Sequence, residues 1–342
     1  MRPLVDWRRL LQDEGIPFIE RGPNVKRGEI NIRCPFCGSS DPSQHMGLNL
    51  ETGWWSCWRN RRQHSGKSPL RLLVALLGIP YWKAREIAGL EADYVDPDGF
   101  SALASRLLGA SKDVREGKDI APRFLSVPES FQPVAPKPLR ALPYWRYLQG
   151  RGFDLMLPEL IKLYGLQCDP LGDWRGRVIL PYEIDRHLVA WTGRAITDAQ
   201  IRYKDLAEDE CVLAPKHTLY NYDAISEGGR CLIIVEGPFD ALKLDFYGRS
   251  VGVRAVALST SSISDDQAFM LEEAVDQFDE IFLMGDNATE LGIVDSMRLR
   301  ADLGFIPGIR VLAVPFRLKD AGELTSDQAL DFTYQLSEGR IP

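Results

Sequence analysis

The sequence predicts an α+β chain of more than one domain that ends in a parallel α/β sheet. Three observations predict it. In the last third, the continuous apolar runs Leu232-Ile233-Ile234-Val235, Ala255-Val256-Ala257-Leu258, Ile281-Phe282-Leu283-Met284 and Val311-Leu312-Ala313-Val314 are spaced by helix-length segments. Strands buried on both faces read this way. Before them, Val178-Ile179-Leu180-Pro181-Tyr182 and Leu188-Val189-Ala190-Trp191 read as strands. Near the start, three of the six cysteines cluster. The length of 342 residues, with 45% hydrophobic and 26% charged side chains, suits two or three domains and excludes disorder throughout.

Residues 1–109 read as one unit: an amphipathic start, the Cys-rich middle, and Pro69-Leu70-Arg71-Leu72-Leu73-Val74-Ala75-Leu76-Leu77 running into Gly78 as a buried helix. Residues 110–143 hold Pro122, Pro128, Pro133, Pro136, Pro138 and Pro143 without periodicity, and are expected to be a linker. Residues 144–229 open on the helix-like Trp145-Arg146-Tyr147-Leu148-Gln149 and continue with the alternating strands. Residues 230–342 carry the parallel sheet. No apolar run reaches the roughly 18 residues of a bilayer crossing, and no signal-peptide core follows Met1. The protein is therefore expected to be soluble and cytoplasmic, without a membrane partner.

Charge is unevenly spread. Residues 1–70 hold 11 Lys and Arg against 7 Asp and Glu, whereas residues 226–342 hold 10 against 20, within a net charge of −7. A basic end suits a polyanion and an acidic end suits divalent cations.

Cys34-Pro35-Phe36-Cys37-Gly38 is a CxxC knuckle, and Cys57 with His64 completes C-x2-C-x19-C-x6-H. Four such ligands with no spare position fit a closed structural Zn²⁺ site. His64 is the preferred fourth ligand and His45 its competitor. Trp54, Trp55, Trp58, Arg59, Arg61, Arg62 and Lys67 surround the knuckle. Aromatic faces stack on bases while guanidinium groups follow phosphates, so a single strand is the expected ligand, with at least one tryptophan reserved for the core. Gly66-Lys67-Ser68 is not a phosphate loop, because Arg61 stands where the leading glycine belongs.

Val235-Glu236-Gly237-Pro238-Phe239-Asp240 puts one carboxylate at a strand end and another in the first turn of the next helix, and Asp286 follows the third apolar run. Such acids can hold Mg²⁺ or Mn²⁺ at phosphate oxygens.

These motifs together resemble the DnaG-type primases of bacteria and phages, and within them the Toprim domain. Glu236-Gly237-x-x-Asp240 is similar to the Toprim glutamate motif, Asp286-Asn287 to the start of its D-x-D motif, and Lys319-Asp320-Ala321-Gly322-Glu323 to a K-D-A-N-E segment. Upstream, Arg175-Gly176-Arg177-Val178-Ile179-Leu180-Pro181, Trp191-Thr192-Gly193-Arg194, Arg202-Tyr203-Lys204 and Lys216-His217-Thr218-Leu219-Tyr220 follow the order of the primase core motifs. The resemblance implies an α+β multidomain fold: a zinc-ribbon-like β domain, an α+β primase core subdomain, and a Rossmann-like Toprim subdomain. It implies a primase that makes RNA primers from NTPs on single-stranded DNA, located in a bacterial host's cytoplasm if phage-encoded. Glu236, Asp240 and Asp286 would hold the catalytic ions, and Arg177, Arg194, Arg202 and Lys216 would contact template or triphosphate.

In two places the chain departs from the family pattern. The second acid of D-x-D falls on Ala288, leaving Glu290 or Asp265 to replace it, and the zinc motif ends in Cys57-x6-His64 rather than a second CxxC. Ala288 supports an alternative, a catalytically degenerate Toprim protein that binds single-stranded DNA as a loader or regulator. A Toprim nuclease or topoisomerase fragment fits less well. No helicase phosphate loop is present in the sequence, so a separate replicative helicase is the expected partner.

Overall fold

The computed structural model describes residues 5–38, 43–61, 64–79, 81–89, 125–153, 156–260, 262–285 and 299–341. The chain separates into two compact units, residues 1–123 with 264–276 and 303–307, and residues 124–263 with 277–302 and 308–342. No helix among the described residues is long and apolar enough to cross a membrane.

The first unit is built on an antiparallel sheet in sequence order: β1 (Phe18–Ile19), β2 (Glu29–Ile32), β3 (Met46–Asn49), β4 (Trp55–Cys57) and β5 (Ser65–Gly66). Alternation sets its buried face, since Ile30 and Ile32, Met46 and Leu48, and Trp55 and Cys57 are all buried. Register aligns them, with Ile30 opposite Leu48, Leu48 opposite Trp55, and Met46 opposite Cys57. Of Trp54, Trp55 and Trp58, Trp55 is the buried one, and its indole N–H donates to the Ser68 carbonyl at 3.0 Å. Trp58 is 55% exposed. Trp54 is half-buried and packs edge-on to Phe305.

The helix Pro69–Leu77 begins where Ser68 accepts from the Leu70 amide and stops at Gly78, whose φ of 63° suits a residue without a Cβ. Against its start lies the helix Asp265–Gln277. Glu272 of that helix is buried and accepts from the Lys67 and Ser68 amides at 3.0 and 3.3 Å. Burial pushes its carboxyl up to about 8, against Arg71 and those amides, which pull it down.

The second unit holds two sheets. The first is antiparallel, in the order β10 (Tyr203–Asp205), β9 (His187–Ala195), β8 (Arg177–Ile184), β7 (Gln167–Cys168) and β6 (Gln132–Pro133). β6 falls inside the stretch 110–143, of which residues 110–124 lie outside the described residues. Proline suits this place because β6 is an edge strand. β8 and β9 are joined through Asp185 and Arg186, both at positive φ, and Asp223 accepts from both of their amides.

The second sheet is parallel, in the order β12 (Val253–Ala257), β11 (Gly229–Val235), β13 (Phe278–Met284) and β14 (Arg310–Leu312). Each apolar run noted in the sequence overlaps one of these strands. The helix Pro238–Gly248 packs on β12 and is covered by the helix Ser326–Ser337. Covered on both sides, it buries even Lys243 and Asp245. Asp245 is bound by Arg254 and Tyr164, and Lys243 donates to the carbonyls of Arg151 and Gly152.

Candidate metal centre and carboxylate cleft

The sheet of the first unit brings Cys34, Cys37, Cys57 and His64 together, with their ligand atoms all within 4.8 Å of one another. Cys34 and Cys37 lie in the turn after β2, and Cys57 ends β4. His64 reaches the sulfurs because its carbonyl accepts from the Cys57 amide at 2.7 Å and its own amide donates to Asn60. The Sγ of Cys37 lies 3.8 Å from that of Cys57, and the Nδ1 of His64 lies 3.6 and 3.2 Å from the sulfurs of Cys34 and Cys37. A tetrahedron with Zn–S near 2.3 Å and Zn–N near 2.1 Å has edges of about 3.8 and about 3.6 Å, so the donor set fits Zn²⁺.

His45 is elsewhere, beside the Ser43 hydroxyl and against the ring of Trp58. Burial, with Arg71 nearby, pushes the His64 imidazole below its ordinary value, which favours the neutral ring that ligates metal. Burial pushes the Cys34 thiol up, so a bound cation is needed to hold it as thiolate. Arg59 and Arg61 are exposed on the loop between Cys57 and His64, and Arg62 lies outside the described residues.

The second unit forms a separate cleft of about 280 Å³ at the carboxyl end of β11. Glu236 is the first residue past that strand, and Gly237 leads into the helix Pro238–Gly248, whose first turn carries Asp240. Oδ1 of Asp240 accepts from the Gly322 amide at 2.7 Å. A Cβ at Gly322 would lie 2.9 Å from that oxygen and 2.7 Å from a guanidinium nitrogen of Arg151, so any larger residue would push these two cleft side chains aside. Asp320 also lines the cleft, and its buried Oδ1 has no hydrogen-bond partner. Hard carboxylate oxygens of this kind fit Mg²⁺ or Mn²⁺. Among the described residues, however, these acids do not gather as closely as the cysteine–histidine group.

Three arginines face the acids: Arg151, Arg194 and Arg202. The Phe239 ring lies under two of them, 5.7 Å from the Arg194 guanidinium and 5.6 Å from that of Arg151. Arg194 also covers the Tyr203 ring at 4.7 Å and donates to the Tyr147 hydroxyl. Burial pushes the Tyr203 phenol up, so it stays neutral beneath the cation.

Arg177 is not among the residues lining the cleft. Its guanidinium donates to the carbonyls of Gly193 and Ile201, both at 2.9 Å, and so ties down the loop before Arg202. Lys216 pairs with Glu208 at 2.6 Å and is not among the cleft residues. Asp265 opens a helix in the first unit. Asp286, Ala288 and Glu290 lie outside the described residues.

Arg151, Tyr182, Ser259 and Thr260 also line the cleft without belonging to the predicted site, and Asp320 enters it from the Lys319-Asp320-Ala321-Gly322-Glu323 segment.

No protein-family model matches the chain, and no curated protein matches it. Among solved structures it is similar to a DnaG primase catalytic domain bound to single-stranded DNA, at 17% identity and a TM-score of 0.47 over 60% of this chain and 76% of that one. It is similar to the Escherichia coli primase catalytic core at 17% identity and a TM-score of 0.44, over 60% and 75%. It is also similar to the primase fragment of the bacteriophage T7 primase-helicase, at 15% identity and a TM-score of 0.40, over 88% and 97%.

Proposed function

We propose that the protein is a DNA primase of the Toprim type, which joins ribonucleotides on a single-stranded DNA template by divalent-metal-dependent nucleotidyl transfer. One observation carries this reading: carboxylates and arginines line a single cleft at the end of a parallel strand. Acids alone suit many strand ends. Acids facing arginines suit a bound divalent ion and the phosphates it touches.

On this reading Glu236, Asp240 and Asp320 hold Mg²⁺ or Mn²⁺, with Asp286 as a further ligand. The ion supplies Lewis-acid chemistry, lowering the pKa of a hydroxyl and stabilising negative charge on phosphate. Arg151, Arg194 and Arg202 grip the triphosphate, and the Phe239 and Tyr203 rings hold the guanidinium planes in place. Arg177 fixes the loop that presents Arg202. Cys34, Cys37, Cys57 and His64 hold a structural Zn²⁺, and the exposed Trp58, Arg59 and Arg61 beside them meet the template strand. Unwinding is left to a separate helicase.

The test is incubation with single-stranded DNA, labelled NTPs and Mg²⁺ or Mn²⁺. Short products that vanish with Glu236→Gln support the reading. DNA binding without any product on any template, with either ion, overturns it in favour of the non-catalytic loader.

A further inference from the structure

Ser259 stands just past β12 with φ +61°, in the left-handed region that disfavours any side chain with a Cβ. Its amide donates to the Glu236 carbonyl at 2.8 Å, which fixes it beside a candidate metal ligand. Its hydroxyl lies 2.6 Å from that of Tyr182. Tyr182 is fully buried, and burial pushes its phenol far up, so the O–H stays intact. A phenol is the stronger donor of the two and an aliphatic hydroxyl the stronger acceptor. Either hydroxyl can donate across this contact, and relative acidity favours Tyr182 donating to Ser259 Oγ, which leaves the Ser259 proton for the cleft. Chained hydrogen bonds strengthen one another, which makes that proton a better donor.

Most other groups lining the cleft have their own uses, with the Tyr203 ring lying under the Arg194 guanidinium. The carboxylates suit cations, and the arginines suit phosphates. The hydroxyls of Thr192 and Thr260 donate to the carbonyls of Lys204 and Ser262. Ser259 thus supplies an uncharged donor, polarised from behind, beside the reacting end of the cleft. With arginines already lining the cleft to meet the phosphates, a neutral donor is matched by a neutral acceptor, and the sugar hydroxyls of a nucleotide are such acceptors. Backbone strain persists where the surroundings over-determine it, and it collects at functional sites.

We propose that Ser259 reads the ribose 2′-hydroxyl of the bound nucleotide and so selects ribonucleotides over deoxyribonucleotides. This rests on the nucleotidyl-transfer reading above and adds the residue that discriminates.

The experiment measures binding of ATP, 2′-deoxy-ATP and 3′-deoxy-ATP with Mg²⁺, alongside primer synthesis, for the wild type, Ser259→Ala, Ser259→Gly and Tyr182→Phe. The ATP preference over 2′-deoxy-ATP is expected to shrink by roughly 3- to 10-fold in both serine variants, the weight of one hydrogen bond, and by less in Tyr182→Phe. Ser259→Gly is expected to melt about 2–4 °C above Ser259→Ala, because both orphan Tyr182 but only alanine keeps the strain. An unchanged preference, or a loss confined to 3′-deoxy-ATP, with synthesis intact, overturns this assignment alone. Equal melting of the two serine variants overturns its basis in strain. A wild type that binds none of the three nucleotides and makes no primer overturns the proposed function and this assignment with it.

Discussion

The cysteine–histidine cluster and the carboxylate cleft are both candidate metal sites, yet they are assembled in opposite ways. The cluster takes all four ligands from residues 34–64, on adjacent turns of one small sheet, and draws them within 4.8 Å. The cleft gathers residues from Arg151 to Asp320 and leaves about 280 Å³ between them. A structural ion is fully enclosed by the protein, whereas a catalytic ion needs vacant coordination positions for substrate oxygens. Closure in one unit and openness in the other therefore match two different tasks.

The largest expected effect comes from breaking the closed site. Purified protein should carry about one zinc per chain, and Cys37→Ser should release it. Structural zinc contributes on the order of 10 kcal/mol to small metal modules, far more than the packing of a short five-stranded sheet can replace. Metal analysis and circular dichroism should show loss of zinc together with loss of the first unit's structure. His45→Ala should keep its zinc. A variant that loses metal through His45 and keeps it through His64→Ala would reverse the ligand assignment.

Breaking the open site should affect chemistry and leave stability alone. Glu236→Gln keeps the shape of the strand end but removes the charge proposed to hold a divalent ion, so on that proposal primer synthesis should fall by at least about 100-fold. Zinc content and melting temperature should hold. Asp320→Asn should give a smaller loss that added Mn²⁺ partly restores, since Mn²⁺ binds carboxylate sites more readily. If Glu236→Gln also lowers the zinc content, the contrast between the two sites collapses.

The same contrast explains how much was legible in the sequence. A closed site on neighbouring hairpins leaves a local spacing pattern, and Cys34, Cys37 and Cys57 could be picked out from it. The fourth ligand stayed open between His64 and His45, because only the backbone pairing of Cys57 with His64 decides which ring reaches the sulfurs. The parallel strands were legible because burial on both faces gives continuous apolar runs. Arg151, Tyr182 and Ser259 were not, because tertiary folding alone brings them to Glu236. Motif position alone assigns Arg177 to template or triphosphate, whereas folding turns its donors to backbone carbonyls.

A third prediction sharpens the account of the first unit through pH. Burial pushes the carboxyl of Glu272 up to about 8 in the folded protein, from an ordinary value of 4.5. The folded state therefore holds a proton that the unfolded chain has already released between these two values. Stability should fall as pH rises from roughly 5 to 8, by up to about 1.4 kcal/mol per pH unit, and level off above. Glu272→Gln should remove that slope and melt higher than the wild type at pH 8. A wild-type slope that survives in Glu272→Gln would place the titrating group elsewhere.

The smallest effect concerns Arg177 and asks whether the cleft depends on residues that never touch its contents. The Arg177 guanidinium bonds to the carbonyls of Gly193 and Ile201, the second immediately before Arg202. Lysine carries the same charge but cannot reproduce the fork, so Arg177→Lys should free the loop while preserving the electrostatic field. Each lost bond is worth about 1 kcal/mol. The KM for nucleotide should then rise by roughly 3- to 10-fold while kcat stays within about twofold, because a mobile Arg202 weakens binding without altering the carboxylates. Arg202→Ala should produce at least as large a rise, and the double variant should add little to it, since both changes act through one contact. If Arg177→Lys instead lowers kcat as Glu236→Gln does, Arg177 reaches the substrate during turnover and the loop-holding role fails.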